Sequence, residues 1–214
     1  MNDSLRISGV AAPLPLANLD TDQIMPKQFL RGIDKSGLDA GVFYDMRFDE
    51  RGRKRDDFVL NRPEYAQTRV LVAGSNFGCG SSREHAVWGL QQFGIQAVIA
   101  SSFAEIFHAN AMNNRLLLVV LTEPEVQAIM ADAGRPETSR VDIDIQAMTV
   151  RSHSCKASFT LAPRHRHMFL EGLDMIGATL EHKPAIDAFA ARHGDMYPWL
   201  KNVAGRSYDR LQRA

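Results

Sequence analysis

The sequence predicts an α/β fold built on a parallel sheet, and three observations carry that expectation. Between residues 69 and 133, short apolar runs alternate with longer amphipathic segments, and that alternation belongs to strands joined by helical crossovers. The chain has 214 residues and is 45% hydrophobic, enough for one sizeable core. No internal repeat, low-complexity tract or clear linker divides it, so a single domain over 1–214 is the simplest organisation.

The elements follow in chain order. Residues 5–16 are apolar and contain Pro13 and Pro15, which suits an edge strand and a bend. Asn18 to Pro26 is polar, closes on proline and reads as a loop. Residues 28–41 hold three glycines and 47–57 are dense in both charge signs, so a mobile, solvated loop is expected over 28–57. Val70–Ala73 reads as a strand, and Glu84–Phe93 as a helix stopped by Gly94. Ala97–Ala100 is the next strand. Phe103–Asn113 is a helix with an S-x-x-E cap from Ser102 to Glu105. Leu116–Leu121 is a strand, and Glu123–Ala133 a helix ended by Gly134. Val141–Ile145, Thr149–Ser152 and Ser158–Leu161 then suit a short meander, and Pro163–Gly172 and Ala178–Arg192 suit terminal helices.

Composition narrows the function classes. Lys+Arg and Asp+Glu both number 25, so no broad basic field for nucleic acid is expected. No apolar run approaches the roughly 18 residues of a membrane span. Met1 to Leu5 shows neither a basic start nor an apolar signal core, so a cytoplasmic location is expected. The two cysteines, Cys79 and Cys155, form neither C-x-x-C nor a zinc pattern. An iron–sulfur cluster generally needs three or four thiolates, so this chain is not expected to hold one, nor any metal, by itself.

The most informative string is Asn76 to His85, N-F-G-C-G-S-S-R-E-H. Gly74, Gly78 and Gly80 let the backbone turn sharply and approach a ligand. Ser81, Ser82 and Arg83 stand where a helix begins, and the exposed N–H groups and positive dipole end there attract an anion. Arg83 adds a planar fork suited to a carboxylate. Ser81 and Glu84 also fit a plain capping box, with Ser81 as N-cap. A cap accounts for neither Gly78-Cys79-Gly80 nor Arg83. The loop is not a phosphate-binding Walker loop, because no G-K-[ST] follows, and G-x-G-x-x-G fails at Arg83. Asp20-Thr21-Asp22 lacks the further acidic ligands of a metal site. His165 and His167 lie two apart and face different sides of a helix. His85 and His108 suit local hydrogen bonding, and Phe103, Ile106 and Phe107 suit the core.

The serine–arginine string, together with Asn18-Leu19-Asp20-Thr21-Asp22-Gln23-Ile24-Met25-Pro26, resembles the aconitase superfamily. Within it, the chain is most similar to the separate small subunits of the 3-isopropylmalate dehydratases. The similarity extends through Asp57-Phe58-Val59-Leu60-Asn61, Ser102-Phe103-Ala104-Glu105-Ile106-Phe107, Asn113-Asn114 and Gly172-Leu173-Asp174, with Ile176-Gly177 and Thr179-Leu180. Two positions depart from the usual pattern: Val87 and Leu118 stand where proline is common.

The resemblance implies a swivelling β/β/α three-layer domain. It implies a partner, a large subunit whose three cysteines carry a [4Fe–4S] cluster, and a small hydroxy-dicarboxylic acid as substrate. The implied reaction, in leucine biosynthesis, converts 2-isopropylmalate to 3-isopropylmalate through 2-isopropylmaleate. In the implied roles, Ser81 is the base for a carbon-bound proton and Ser82 offers its N–H to an oxyanion. Arg83 holds a substrate carboxylate, and Asp22 orients Arg83 or the serine. The loop Lys27-Gln28-Phe29-Leu30-Arg31 touches the variable group of the substrate. Phe29 and Leu30 suit an isopropyl group, and Arg31 suits an extra carboxylate. Three alternatives stay open: the small subunit of a related hydro-lyase of citramalate, dimethylmalate or homoaconitate type; a non-enzymatic module that captures an anion or partner; and a serine hydrolase, whose triad the sequence does not supply.

Overall fold

The computed structural model describes residues 5–30 and 35–212. Arg31, one of the expected substrate contacts, lies outside the described residues. The chain falls into two compact units, Met1–Asp174 and Met175–Ala214.

The first unit is built on one seven-stranded sheet. β1 (Arg6–Leu14) is followed by two single-turn helices, α1 (Thr21–Ile24) and α2 (Tyr44–Arg47). The expected alternation then appears as β2 (Thr68–Ala73), α3 (Glu84–Gln92), β3 (Ala97–Ala100), α4 (Glu105–Asn113), β4 (Leu117–Val120) and α5 (Glu123–Ala133). β5 (Arg140–Asp144), β6 (Thr149–Arg151) and β7 (Lys156–Ser158) form the meander, and α6 (Pro163–Glu171) closes the unit. The strand order is β4-β3-β2-β1-β5-β6-β7. β1 to β4 pair parallel with one another, while β5, β6 and β7 pair antiparallel. Val70, Leu71, Val72, Val98 and Ile99 are fully buried, as continuous apolar strands of a covered parallel sheet should be. α5 packs against β1, β2 and β3, and α3 packs against α4 and a 3-10 turn at Leu38–Gly41.

β1 corrects the expectation of an edge strand. It lies inside the sheet, but it changes partner along its length. Arg6–Val10 pairs with β5, and Val10–Leu14 pairs with β2, with a register shift between Val10 and Ala11. Pro13 therefore falls where β1 has a ladder on the β2 side alone, and its missing N–H breaks no second ladder.

The 28–57 stretch is more structured in its described part than its composition suggests. Leu38, Val42 and Phe43 are buried. Arg47 is half-buried: it donates to the Val42 carbonyl (3.1 Å), and its guanidinium lies 4.7 Å from the Phe93 ring centre. Burial accordingly pushes its pKa below the usual arginine value.

The second unit contains α7 (Met175–Leu180), α8 (Lys183–Met196), a 3-10 turn at Pro198–Leu200 and α9 (Val203–Gln212). None of these helices buries a side chain, and Ile176, Phe189, Trp199 and Leu211 are exposed. Among the described residues, no helix is long and apolar enough to cross a membrane.

Candidate active site

The site forms at the carboxyl ends of β1, β2 and β3, where ligands settle in open parallel sheets. Parallel pairing brings the three following loops to the same edge, and backbone bonds stitch them together. The Asn18 N–H donates to the Ser75 carbonyl (2.8 Å), and the Gly78 N–H to the Leu19 carbonyl (2.8 Å). Asp20 and Cys79 form a parallel bridge, as do Phe77 and Phe103. Asn76, in the left-handed region at φ 55°, donates from its side chain to the Asn18 side-chain oxygen (2.8 Å).

Gly78 shows why glycine is needed. Its φ is +78°, and a Cβ there would lie 2.2 Å from Cγ of the buried Phe107 ring. Phe77 is itself fully buried and meets Phe107 edge-on, with ring centres 5.3 Å apart. The strand-to-helix turn thus rests on an aromatic floor with no room for another side chain.

The Asn18–Pro26 stretch is not all loop. α1 begins at an Asp20 N-cap with a reciprocal capping box. The Gln23 N–H donates to Asp20 Oδ1 (2.7 Å), and the Asp20 N–H donates to Gln23 Oε1 (2.9 Å). This D-x-x-Q pattern is a readable cap signal, and the expectation of a plain loop makes no use of it. The buried Thr21 then reaches across to the serine loop. Its N–H donates to the Cys79 carbonyl (2.9 Å), and its hydroxyl to the Ser81 carbonyl (3.0 Å). Thr21 belongs to the site, a residue that the sequence does not single out between its two acidic neighbours.

Asp22, one residue on, ion-pairs with Nη1 of Arg83. The Arg83 side chain is 15% exposed and that of Asp22 is 43% exposed. The hydrogen bond from Arg83 holds the Asp22 carboxyl below its ordinary value, against the opposing effect of burial. Ser81 and Ser82 are exposed beside this pair. The structure therefore brings together Asp22, Ser81, Ser82 and Arg83.

Both capping boxes expected from Ser81 and Ser102 are absent. α3 begins later than that pattern suggests, with Arg83 as N-cap at φ −106°, ψ 103° and no side-chain cap. Glu84 turns away from Ser81, and its Oε1 accepts from Asn114 Nδ2 (2.6 Å). α4 likewise starts after Ala104 without a side-chain cap, because the Ser102 hydroxyl accepts from the Asn76 N–H (2.8 Å). In each case a tertiary partner displaces the local one.

The remaining candidates are engaged in other contacts. The His85 ring packs on Trp88, with centres 4.9 Å apart, and His108 faces His165 at 6.1 Å. Cys79 donates to the Asn18 carbonyl (3.2 Å), and Cys155 is a separate free thiol in the β6–β7 turn. Among the described residues, no group of three or more His, Cys, Asp or Glu could hold a metal ion. Two distant thiols do not fit the ligand set of an iron–sulfur cluster.

The site is thus a glycine-turned loop leading into an uncapped helix, with an Asp–Arg pair beside exposed serines. The family model for the aconitase C-terminal domain matches residues 1–124, and the model for the C-terminal domain of the 3-isopropylmalate dehydratase small subunit matches residues 175–203. The chain is 66% identical to "3-isopropylmalate dehydratase small subunit 1" of Chromobacterium violaceum, over 96% of this chain and 97% of that one. It is 52% identical to the 3-isopropylmalate dehydratase small subunit of Phenylobacterium zucineum, over 92% of this chain and 98% of that one. Among solved structures, the 3-isopropylmalate dehydratase of a Methanocaldococcus superposes with a TM-score of 0.63 at 27% identity, covering 86% of this chain and 98% of that chain. The chain belongs to the family of 3-isopropylmalate dehydratase small subunits, and its fold is the swivelling α/β domain of the aconitase superfamily.

Proposed function

We propose that this chain is the proton-transferring, carboxylate-holding half of a 3-isopropylmalate dehydratase. It works with a separate large subunit to interconvert 2-isopropylmalate and 3-isopropylmalate through 2-isopropylmaleate. The observation that carries the reading is Arg83, ion-paired to Asp22 at the start of α3 and flanked by exposed Ser81 and Ser82.

Ser81 is the base. In the dehydration half-reaction the carbon-bound proton passes to Ser81 Oγ. The electron pair of that C–H bond becomes the new C=C bond as hydroxide leaves the neighbouring carbon. Hydration runs the same steps in reverse at the exchanged positions. A neutral hydroxyl is a weak base, but its alkoxide is favoured by a helix N-terminus and a neighbouring guanidinium. Ser82 offers its N–H to an oxyanion of the substrate. Asp22 holds Nη1 of Arg83 and fixes the plane of the fork, and the other guanidinium donors take a substrate carboxylate. A [4Fe–4S] cluster on the large subunit would supply the Lewis acid for the leaving hydroxyl. Phe29, Leu30 and Arg31 would meet the variable group of the substrate. The unit that carries the site, Met1–Asp174, would act as the swivelling domain, in the cytoplasm.

Ser81→Ala in the assembled two-subunit enzyme tests the assignment. Turnover should fall by at least roughly a hundredfold, the scale of a lost general base, while complex formation and substrate affinity persist. Near-normal turnover would remove Ser81 from the role.

A further inference from the structure

The motif Ser81-Ser82-Arg83-Glu84 has the composition of a capping box, yet the box does not form. One residue beyond another helix holds the Glu84 side chain instead. Asn114, immediately after α4, commits its whole side chain to α3 and to its own helix end. Its Nδ2 donates to Glu84 Oε1 (2.6 Å) and to the Asn110 carbonyl (2.9 Å), and its Oδ1 accepts from Trp88 Nε1 (3.0 Å). Its carbonyl accepts from Gln91 Nε2 (2.7 Å). Glu84, Trp88 and Gln91 are spaced i, i+4 and i+7, so Asn114 grips a single face of α3.

We propose that Asn114 is a positioning residue that sequesters the Glu84 carboxylate and thereby keeps Ser81 out of a capping box. The inference rests on the assignment of Ser81 as the base. A released Glu84 would accept from the Ser81 N–H, and the Ser81 hydroxyl would accept from the Glu84 N–H. The helix would then start earlier, and the hydroxyl would be tied to a backbone amide. A carboxylate would also stand on the helix end that has to receive the carboxylate of the substrate. With Glu84 held by Asn114, the Ser81 carbonyl is anchored by the Thr21 hydroxyl (3.0 Å) and the Arg83 N–H (2.8 Å), while Ser81 itself stays exposed.

The test uses the assembled two-subunit enzyme and reads both turnover and amide hydrogen exchange over 81–86. Asn114→Ala should lower kcat by roughly ten- to a hundredfold, the cost of a small misplacement of a reacting group. It should also slow exchange at the Ser81 and Glu84 amides, because the box has formed. Adding Glu84→Ala to the same chain should restore kcat to within about threefold of the Glu84→Ala variant alone, whereas independent structural losses would add. Unchanged amide exchange, or losses that add without rescue, would overturn the inference. Slowed exchange with undiminished turnover would support the capture of Ser81 and instead remove Ser81 as the base. Should Asn114→Ala fail to fold, Asn114→Asp keeps the acceptor for Trp88 and expels Glu84 by like charge, and the same outcomes are read.

Discussion

At the scale of single residues, the guanidinium of Arg83 has two duties. Asp22 fixes one edge of it, and the proposed substrate carboxylate takes the rest. Lysine would keep the charge and lose the fork, so Arg83→Lys in the assembled enzyme should raise KM and lower kcat, together costing roughly a hundredfold or more in kcat/KM. A variant within a few-fold of the parent would mean that a point charge suffices. Asp22 adds a pH prediction. Its folded carboxyl is held below the usual value near 3.8 by Arg83. A depressed carboxyl pKa contributes stability that is fully present above the unfolded value and disappears as pH falls through the folded one. The Asp22–Arg83 pair should therefore be intact across neutral and mildly acidic pH and open only on strong acidification. Titrating the Asp22 carboxyl by NMR, with and without Arg83→Lys, checks the direction: removing the fork should move the carboxyl upward.

Elements place these residues, and two contacts are decisive. Gly78 sits at φ +78° against the Phe107 ring. Gly78→Ala should cost about 1–3 kcal/mol through backbone strain and overpacking, and should misplace the serine loop. Denaturant unfolding alongside turnover measures both, and a neutral variant would mean that the loop relaxes without loss. On α5, the buried Asp132 accepts from the Ser152 hydroxyl (2.6 Å), the Ser154 N–H (2.7 Å) and the Ser154 hydroxyl (2.9 Å). Burial raises the Asp132 pKa, but these bonds outweigh it and the net direction is downward. Asp132→Ala should lower stability by about 2–3 kcal/mol, by stranding the β6–β7 turn, and leave the serine loop in place. Loss of turnover at full stability would contradict that division of roles. Much at this scale is legible in the sequence. Ala97–Ala100 and Glu123–Ala133 fall where apolar pattern and glycine stops put them, because short buried strands and capped helices are locally encoded. What the pattern misses is tertiary. β1 changes partner at Val10, so a proline that reads as an edge signal sits inside the sheet. Ser102 and Glu84 look like capping residues, but Asn76 and Asn114 claim them across the fold. No local rule weighs a neighbour that is 26 or 30 residues away. The Asp20–Gln23 box is legible too, but a single-turn helix carries no apolar periodicity to draw attention to it.

For the whole molecule, the proposed chemistry calls for a large-subunit partner. Family membership fits that reading, since its relatives are small subunits by name. The candidate site is open at the carboxyl edge of the sheet, with exposed serines and a half-exposed Asp22, which suits a surface that a partner chain closes over. The most direct test is anaerobic: this chain is mixed with its large subunit, the cluster is reconstituted, and 3-isopropylmalate is added. The ultraviolet absorbance of the conjugated acid then reports dehydration. Signal should come from the mixture and from neither chain alone, with citramalate and homocitrate turned over far more slowly. An intact cluster in a formed complex that dehydrates none of these acids would contradict the assignment.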